Sequence, residues 1–100
     1  MKTRAFEYDG GHTGLSFRCE GCGGAHSIPV TGPQAWTWDG DRDAPVFSPS
    51  LLVNLGPHDA PRICHSFVGC NGAQPGEIIF LSDCTHHLAG QVRPLLDWKE

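Results

Sequence analysis

The stretch Phe17-Arg18-Cys19-Glu20-Gly21-Cys22-Gly23-Gly24-Ala25-His26 organises the reading of this chain. Two cysteines with two residues between them can turn both sulfurs towards one ion. The glycines that follow permit the tight backbone that brings amide N–H groups near thiolates. Redox dithiols share this spacing, so its meaning depends on distant partners. The chain supplies two candidates, Cys64-His65 and Asp83-Cys84-Thr85-His86-His87. Together they predict a metal that joins three separate parts of the chain.

The flanks of the knuckle read as a hairpin. Leu15, Phe17 and Cys19 alternate with polar residues and share one face, which delivers Cys19 from the core side. Residues 26–30 run back as the second arm, with Pro29 suited to an edge. Residues 4–8 read as a further edge strand, and Asp9-Gly10-Gly11 as the turn that follows it.

Further along, 35–38 reads as a strand with Trp36 and Trp38 on one face, followed by an acidic turn, 39–43, open to solvent. The longest extended segment is 45–54. Phe47, Leu51 and Val53 face one way in it; Val46, Leu52 and the serines face the other, and Pro49 forces a bend or bulge midway. Ser48 and Ser50 lack the strand–turn–helix context of a nucleophile elbow, so bonding to nearby backbone is their expected role. In the strand 62–68, Cys64 and His65 must point to opposite faces. Residues 77–84 read as a central strand, Thr85–Gly90 as one helical turn, and Val92, Leu95, Leu96 and Trp98 as a tail closing over the core. His12 and His58 fall in loops.

The expected fold class is mainly β. It is one domain, residues 1–100, with a small antiparallel sheet, a zinc-ribbon-like knuckle and at most one or two short helical turns. The net charge of −4 and the few scattered cations disfavour a grip on nucleic-acid phosphates. No segment has the length or apolarity of a membrane span, and the first residues lack the apolar run of a signal peptide. A soluble protein of the bacterial cytoplasm is expected. Five cysteines in a reducing compartment read as metal ligands rather than a disulfide frame, with Cys70 the spare thiol.

The motifs recur in a recognisable order: Cys-x-x-Cys-Gly-x-x-His (19–26), Trp-x-Trp-Asp-Gly-Asp (36–41), Pro-x-Phe-Ser-Pro-Ser-Leu-Leu-Val (45–53), Cys-His-Ser-Phe-Val (64–68) and Phe-Leu-Ser-Asp-Cys-Thr-His-His-Leu-Ala-Gly-Gln (80–91). This order resembles the DUF6527 family of small phage and prophage proteins of unknown function, over most of residues 15–98. The resemblance carries over Cys19, Cys22, His26, Cys64, His65, Asp83, Cys84, His86 and Gly90. It implies no established reaction. The chain departs from the family at the short loop 54–61, at Gly69-Cys70-Asn71-Gly72 and at His87, which leaves Cys70 and His87 outside the site.

The family-like cysteines Cys19, Cys22, Cys64 and Cys84 would make a closed Zn²⁺ site, with His26, His65 or His86 as alternative ligands. The first functional reading is then a zinc-stabilised module that binds another protein in a phage, prophage or host-modulating setting. The second is a small hydrolase-like zinc enzyme in which His65, His86 and Asp83 work beside a Cys/His zinc. Nucleic acid is disfavoured as a partner. Oligomeric state is not legible in the sequence.

Overall fold

A computed structural model describes residues 1–98. The described chain is all β, with eight strands in two antiparallel sheets and no helix. The strands are β1 (Thr3–Tyr8), β2 (His12–Cys19), β3 (Gly24–Pro29), β4 (Thr37–Trp38), β5 (Phe47–Asn54), β6 (Ile63–Val68), β7 (Glu77–Phe80) and β8 (Val92–Pro94). The first sheet has the order β1-β2-β3, and the second β4-β5-β6-β7-β8. Each is a meander of sequence neighbours, as short strands punctuated by Gly and Pro would give.

Period-two alternation decides what lies between the sheets. Leu15, Phe17 and Cys19 from β2 and Ile28 from β3 point inward. They meet Phe47, Leu51, Cys64, Val68, Ile78 and Phe80 from the second sheet, and all belong to one buried cluster. Phe17 and Phe47 touch across the gap, with ring centroids 6.0 Å apart. Burying each such ring stabilises the fold by roughly 1.5–3 kcal/mol. Leu88 and Leu95 plug the same core from the connections around β8.

The second sheet positions the site. Phe47 on β5 faces Val68, yet Leu51, four residues on, faces Ser66, only two residues back. The two surplus residues of β5 form the bulge expected at Pro49. Because the slip is two residues, every side chain keeps its face: Phe47 and Leu51 stay inside, Ser50 and Leu52 stay outside. On β6, Cys64 and Ser66 are buried while His65 looks out.

Several expectations are corrected. The strand read over 77–84 ends at Phe80, although β7 does lie inside its sheet between β6 and β8. Residues 85–90 are turns rather than a helical turn. The Thr85 hydroxyl, which would have capped it, instead accepts from the Ile63 N–H at 2.9 Å. Of the tail, Leu95 is buried, but Val92 and Leu96 are exposed. In the acidic turn, Asp39 and Asp41 accept hydrogen bonds from nearby backbone N–H groups, those of Asp41, Asp43, Ala44 and Val46. No helix among the described residues is long and apolar enough to cross a membrane.

Candidate functional site

Two groups of side chains converge on opposite faces of β6. The inner group begins at the knuckle. β2 and β3 pair through Cys19↔Gly24, and the turn is closed by Gly23 N–H donating to Cys19 O at 3.0 Å. Gly23 has φ +73, which favours glycine. The Cys22 N–H then reaches Cys19 Sγ at 3.4 Å. Cys64 enters from β6, its sulfur 3.9 Å from that of Cys19. His86 arrives from the turn after β7, its ring edge-on to Phe80 with centroids 4.7 Å apart. One donor atom from each of Cys19, Cys22, Cys64 and His86 lies within 4.8 Å of the others.

This group fits a metal ion by its own structure. His86 Nε2 is buried and has no hydrogen-bond partner, while Nδ1 faces the Leu88 N–H at 3.2 Å. Because Nδ1 accepts from Leu88, the ring proton sits on Nε2 with no acceptor, at a cost of about 1–3 kcal/mol; a cation held by this ring would take a bare nitrogen in place of that proton or that bond. Gly21 matters here too: a Cβ at this position would collide with the His86 imidazole. The thiols also hold one another in an unequal state. The Cys64 S–H hydrogen bond holds Cys19 well below the ordinary thiol range despite burial, and His26 adds to the effect. The same bond, with burial, pushes Cys64 up. Burial and the charge on Cys19 push Cys22 up to about 11. A divalent cation resolves this competition, because it takes thiolates and displaces their protons.

The outer group was not expected as such. His65 Nδ1 lies 2.9 Å from Asp83 Oδ2, and His65 Nε2 lies 3.2 Å from Ser50 Oγ. Asp83 accepts, so Nδ1 carries the proton and the Nε2 lone pair faces the serine hydroxyl. Ser50 comes from β5 just after the bulge, His65 from the outer face of β6, and Asp83 from the turn after β7. The pair is partly open to solvent, with His65 at 26% and Asp83 at 56% side-chain exposure. Such an ion pair contributes only about 0–1 kcal/mol to stability. What it does is fix the ring's tautomer and direction.

The sequence-stated candidates divide cleanly between these groups. Cys19, Cys22 and Cys64 come together as expected, but the fourth member is His86. Cys84 lies against the peptide of His65 instead: the His65 N–H donates to Cys84 Sγ at 3.2 Å, and the Cys84 S–H donates to His65 O at 3.2 Å. A buried thiol that grips the backbone on both sides is thereby a support for His65. His26 is buried against Cys19 without joining the four. His65 and Asp83 do meet, though not with His86, and their third partner is Ser50, whose hydroxyl serves the histidine rather than backbone. Cys70 stands apart and donates to Phe47 O at 3.4 Å. The missed signal was the facing rule itself. Once Cys64 points in, His65 points out, and it can meet only what the neighbouring strands present on that face.

A family model described as a bacterial ubiquitination-like system serine protease (BubE) matches residues 2–75. The chain belongs to the BubE family. Ser50 and His65 lie within the matched stretch; Asp83 and His86 lie beyond it. No curated protein and no solved structure matches the chain. The family description names a serine protease; in this chain one imidazole on the outer face of β6 contacts a serine of β5 and an aspartate of the turn after β7.

Proposed function

We propose that the protein is a serine protease in which Ser50 is the nucleophile, His65 the general base and Asp83 the group that orients it, and that its substrate is a protein of a ubiquitination-like system. One observation carries this reading: a single imidazole bridges a serine hydroxyl and a carboxylate at 3.2 and 2.9 Å. Nucleophile, base and orienting acid in this relation are the recurring arrangement of serine acyl transfer on unrelated folds.

Each step follows from these proposed roles. Ser50 Oγ attacks the scissile carbonyl carbon as its proton passes to His65 Nε2. Asp83, bonded to Nδ1, stabilises the imidazolium so formed. The C–N bond breaks as Nε2 gives the proton to the leaving amine, leaving an acyl ester on Ser50. A water then attacks that ester, again losing its proton to Nε2, and the acid and free serine are released. A purely protein-binding role leaves this alignment without use.

The same proposal makes the inner group a structural zinc site. Thiolates about 2.3 Å from a tetrahedral zinc lie about 3.8 Å from one another, which the 3.9 Å between Cys19 and Cys64 matches. Three cysteines and a histidine fill all four positions, so no open position remains for an activated water. Zinc, when bound, supplies a cross-link between the sheets rather than the reaction.

The test is a fluorophosphonate probe on purified protein, with the adduct located by mass spectrometry. Labelling at Ser50, lost in Ser50→Ala together with roughly 10⁴-fold or more of the hydrolytic rate, is the expected result. Labelling elsewhere, or hydrolysis that survives Ser50→Ala, overturns the assignment.

A further inference from the structure

β5 is an edge strand exactly where it leaves the nucleophile. β4 pairs with it only through Thr37↔Ser48 and Trp38↔Phe47, so the stretch from Leu51 to Asn54 has β6 on one side and, among the described residues, no strand on the other. The direction of its backbone groups follows from the ladder. Leu55 N–H donates to Arg62 O, making 55 and 62 a hydrogen-bonded pair; two residues back, Val53 and Cys64 form the next, then Leu51 and Ser66. Leu52 and Asn54 therefore turn their N–H and C=O groups away from β6. On β6, the backbone of His65 agrees: its carbonyl accepts from Leu81 on the β7 side.

Facing this open edge is β3, itself the outer strand of the first sheet. Between the two runs a cleft of about 310 Å³, to which Ala25, Ile28, Trp36, Leu52, Val53 and Leu55 contribute. His26 and Ser27 add polar atoms to it, but no Asp, Glu, Lys or Arg among the described residues lines it. Leu52 and Leu55 are 65% and 50% exposed. At the Ser50 end, the Trp36 indole N–H donates to Pro49 O at 3.0 Å and to Ser50 O at 3.4 Å, which ties this wall of the cleft to the backbone that carries the serine.

Resting on the protease reading above, we propose that the substrate is taken as an extended peptide segment that joins the second sheet along the free edge of β5, bonding to the main chain of Leu52 and Asn54, and seats one large apolar side chain in the cleft between β5 and β3. Strand addition gives sequence-independent affinity through main-chain bonds, and the pocket for one side chain gives selectivity. Leu52 is two residues, about 7 Å, from Ser50. The apolar side chain therefore belongs to a residue near the scissile bond. Burying it discriminates against a charged residue by roughly 10- to 100-fold.

A library of internally quenched octapeptides tests this on the full chain. Wild type should prefer Leu, Ile or Phe over Asp or Lys at one position by at least tenfold. Ala25→Trp, an exposed substitution that fills the cleft, and Leu55→Asp should each lower kcat/KM for the preferred peptide at least tenfold. Both should leave the rate of fluorophosphonate labelling at Ser50 within about twofold. Labelling at the normal rate with no apolar preference, or unchanged kcat/KM in both variants, overturns the inference and leaves the catalytic assignment standing. If Ser50 is neither labelled nor needed for hydrolysis, the catalytic assignment falls. Amide shifts in Ser50→Ala protein titrated with an octapeptide carrying Leu and Phe then decide the surface question. Shifts centred on Leu52 and Asn54 uphold strand addition, and their absence refutes it.

Discussion

The two faces of β6 do different work with adjacent residues. On the inner face Cys64 is 1% exposed and shares a closed group of soft donors with Cys19, Cys22 and His86. On the outer face His65 keeps a quarter of its surface in solvent and lines up Ser50 with Asp83. The turn after β7 repeats the division, since Asp83 goes out and His86 goes in. A strand's period of two separates the two groups by little more than the thickness of a sheet; on the proposed reading one holds the fold and the other carries the reaction. Neither group borrows a side chain from the other. The backbone of β6 and the Cys84 thiol, which bonds the His65 peptide and whose charge reaches Cys22, lie between them.

The largest way to break this comparison is to remove the metal. Structural zinc contributes on the order of 10 kcal/mol in small metal-dependent domains, comparable to the whole stability of a protein this size. A strong chelator should therefore unfold the chain, read by loss of the β-sheet signal in circular dichroism, and the outer site should lose activity in step. Retained structure after complete metal removal would mean that the core alone holds the sheets together. Asp83→Asn should leave zinc content and melting temperature almost unchanged while lowering turnover about 10²- to 10⁴-fold, because the ring loses its fixed tautomer. A drop in zinc stoichiometry in that variant would join the two faces that the structure keeps apart.

Smaller effects sharpen the boundary. Gly21→Ala should displace His86 and weaken zinc binding roughly 10- to 100-fold without altering the rate at saturating zinc; competition with a chromophoric chelator measures it. Cys84→Ser is the most discriminating substitution. If Cys84 only grips the His65 peptide, the variant keeps one zinc per chain and loses about 1–3 kcal/mol of stability. Loss of the zinc would make Cys84 a ligand and displace His86 from that role.

Much of this was legible in the sequence, and for local reasons. Cys19 and Cys22 are defined by their own spacing, the hairpin around them by alternation, and the opposed directions of Cys64 and His65 by the geometry of any strand. Pro49 announced the bulge. Two things were not legible. The turn after β7 offers Asp83, Cys84, His86 and His87 within five residues, and which of them turns inward depends on Thr85 being tied to Ile63 and on the space left at Gly21. Ser50 required more: the pairing of β5 with β6, and the amount by which that pairing slips. Its hydroxyl has no local signature, and only the cross-strand neighbour gives it a role.

That slip also governs how the gene tolerates change. Facing along β5 depends on whether the number of residues in the bulge is odd or even, not on their identity. Losing a single codon between Phe47 and Ser50, with the later pairing kept, would force Phe47 to the surface or leave the strand unable to bury both Phe47 and Leu51. Losing two would leave every side chain facing as before, and would remove the surplus that holds β5 bent beside the serine. The reading frame of the sheet, like that of the message, is unforgiving of odd steps.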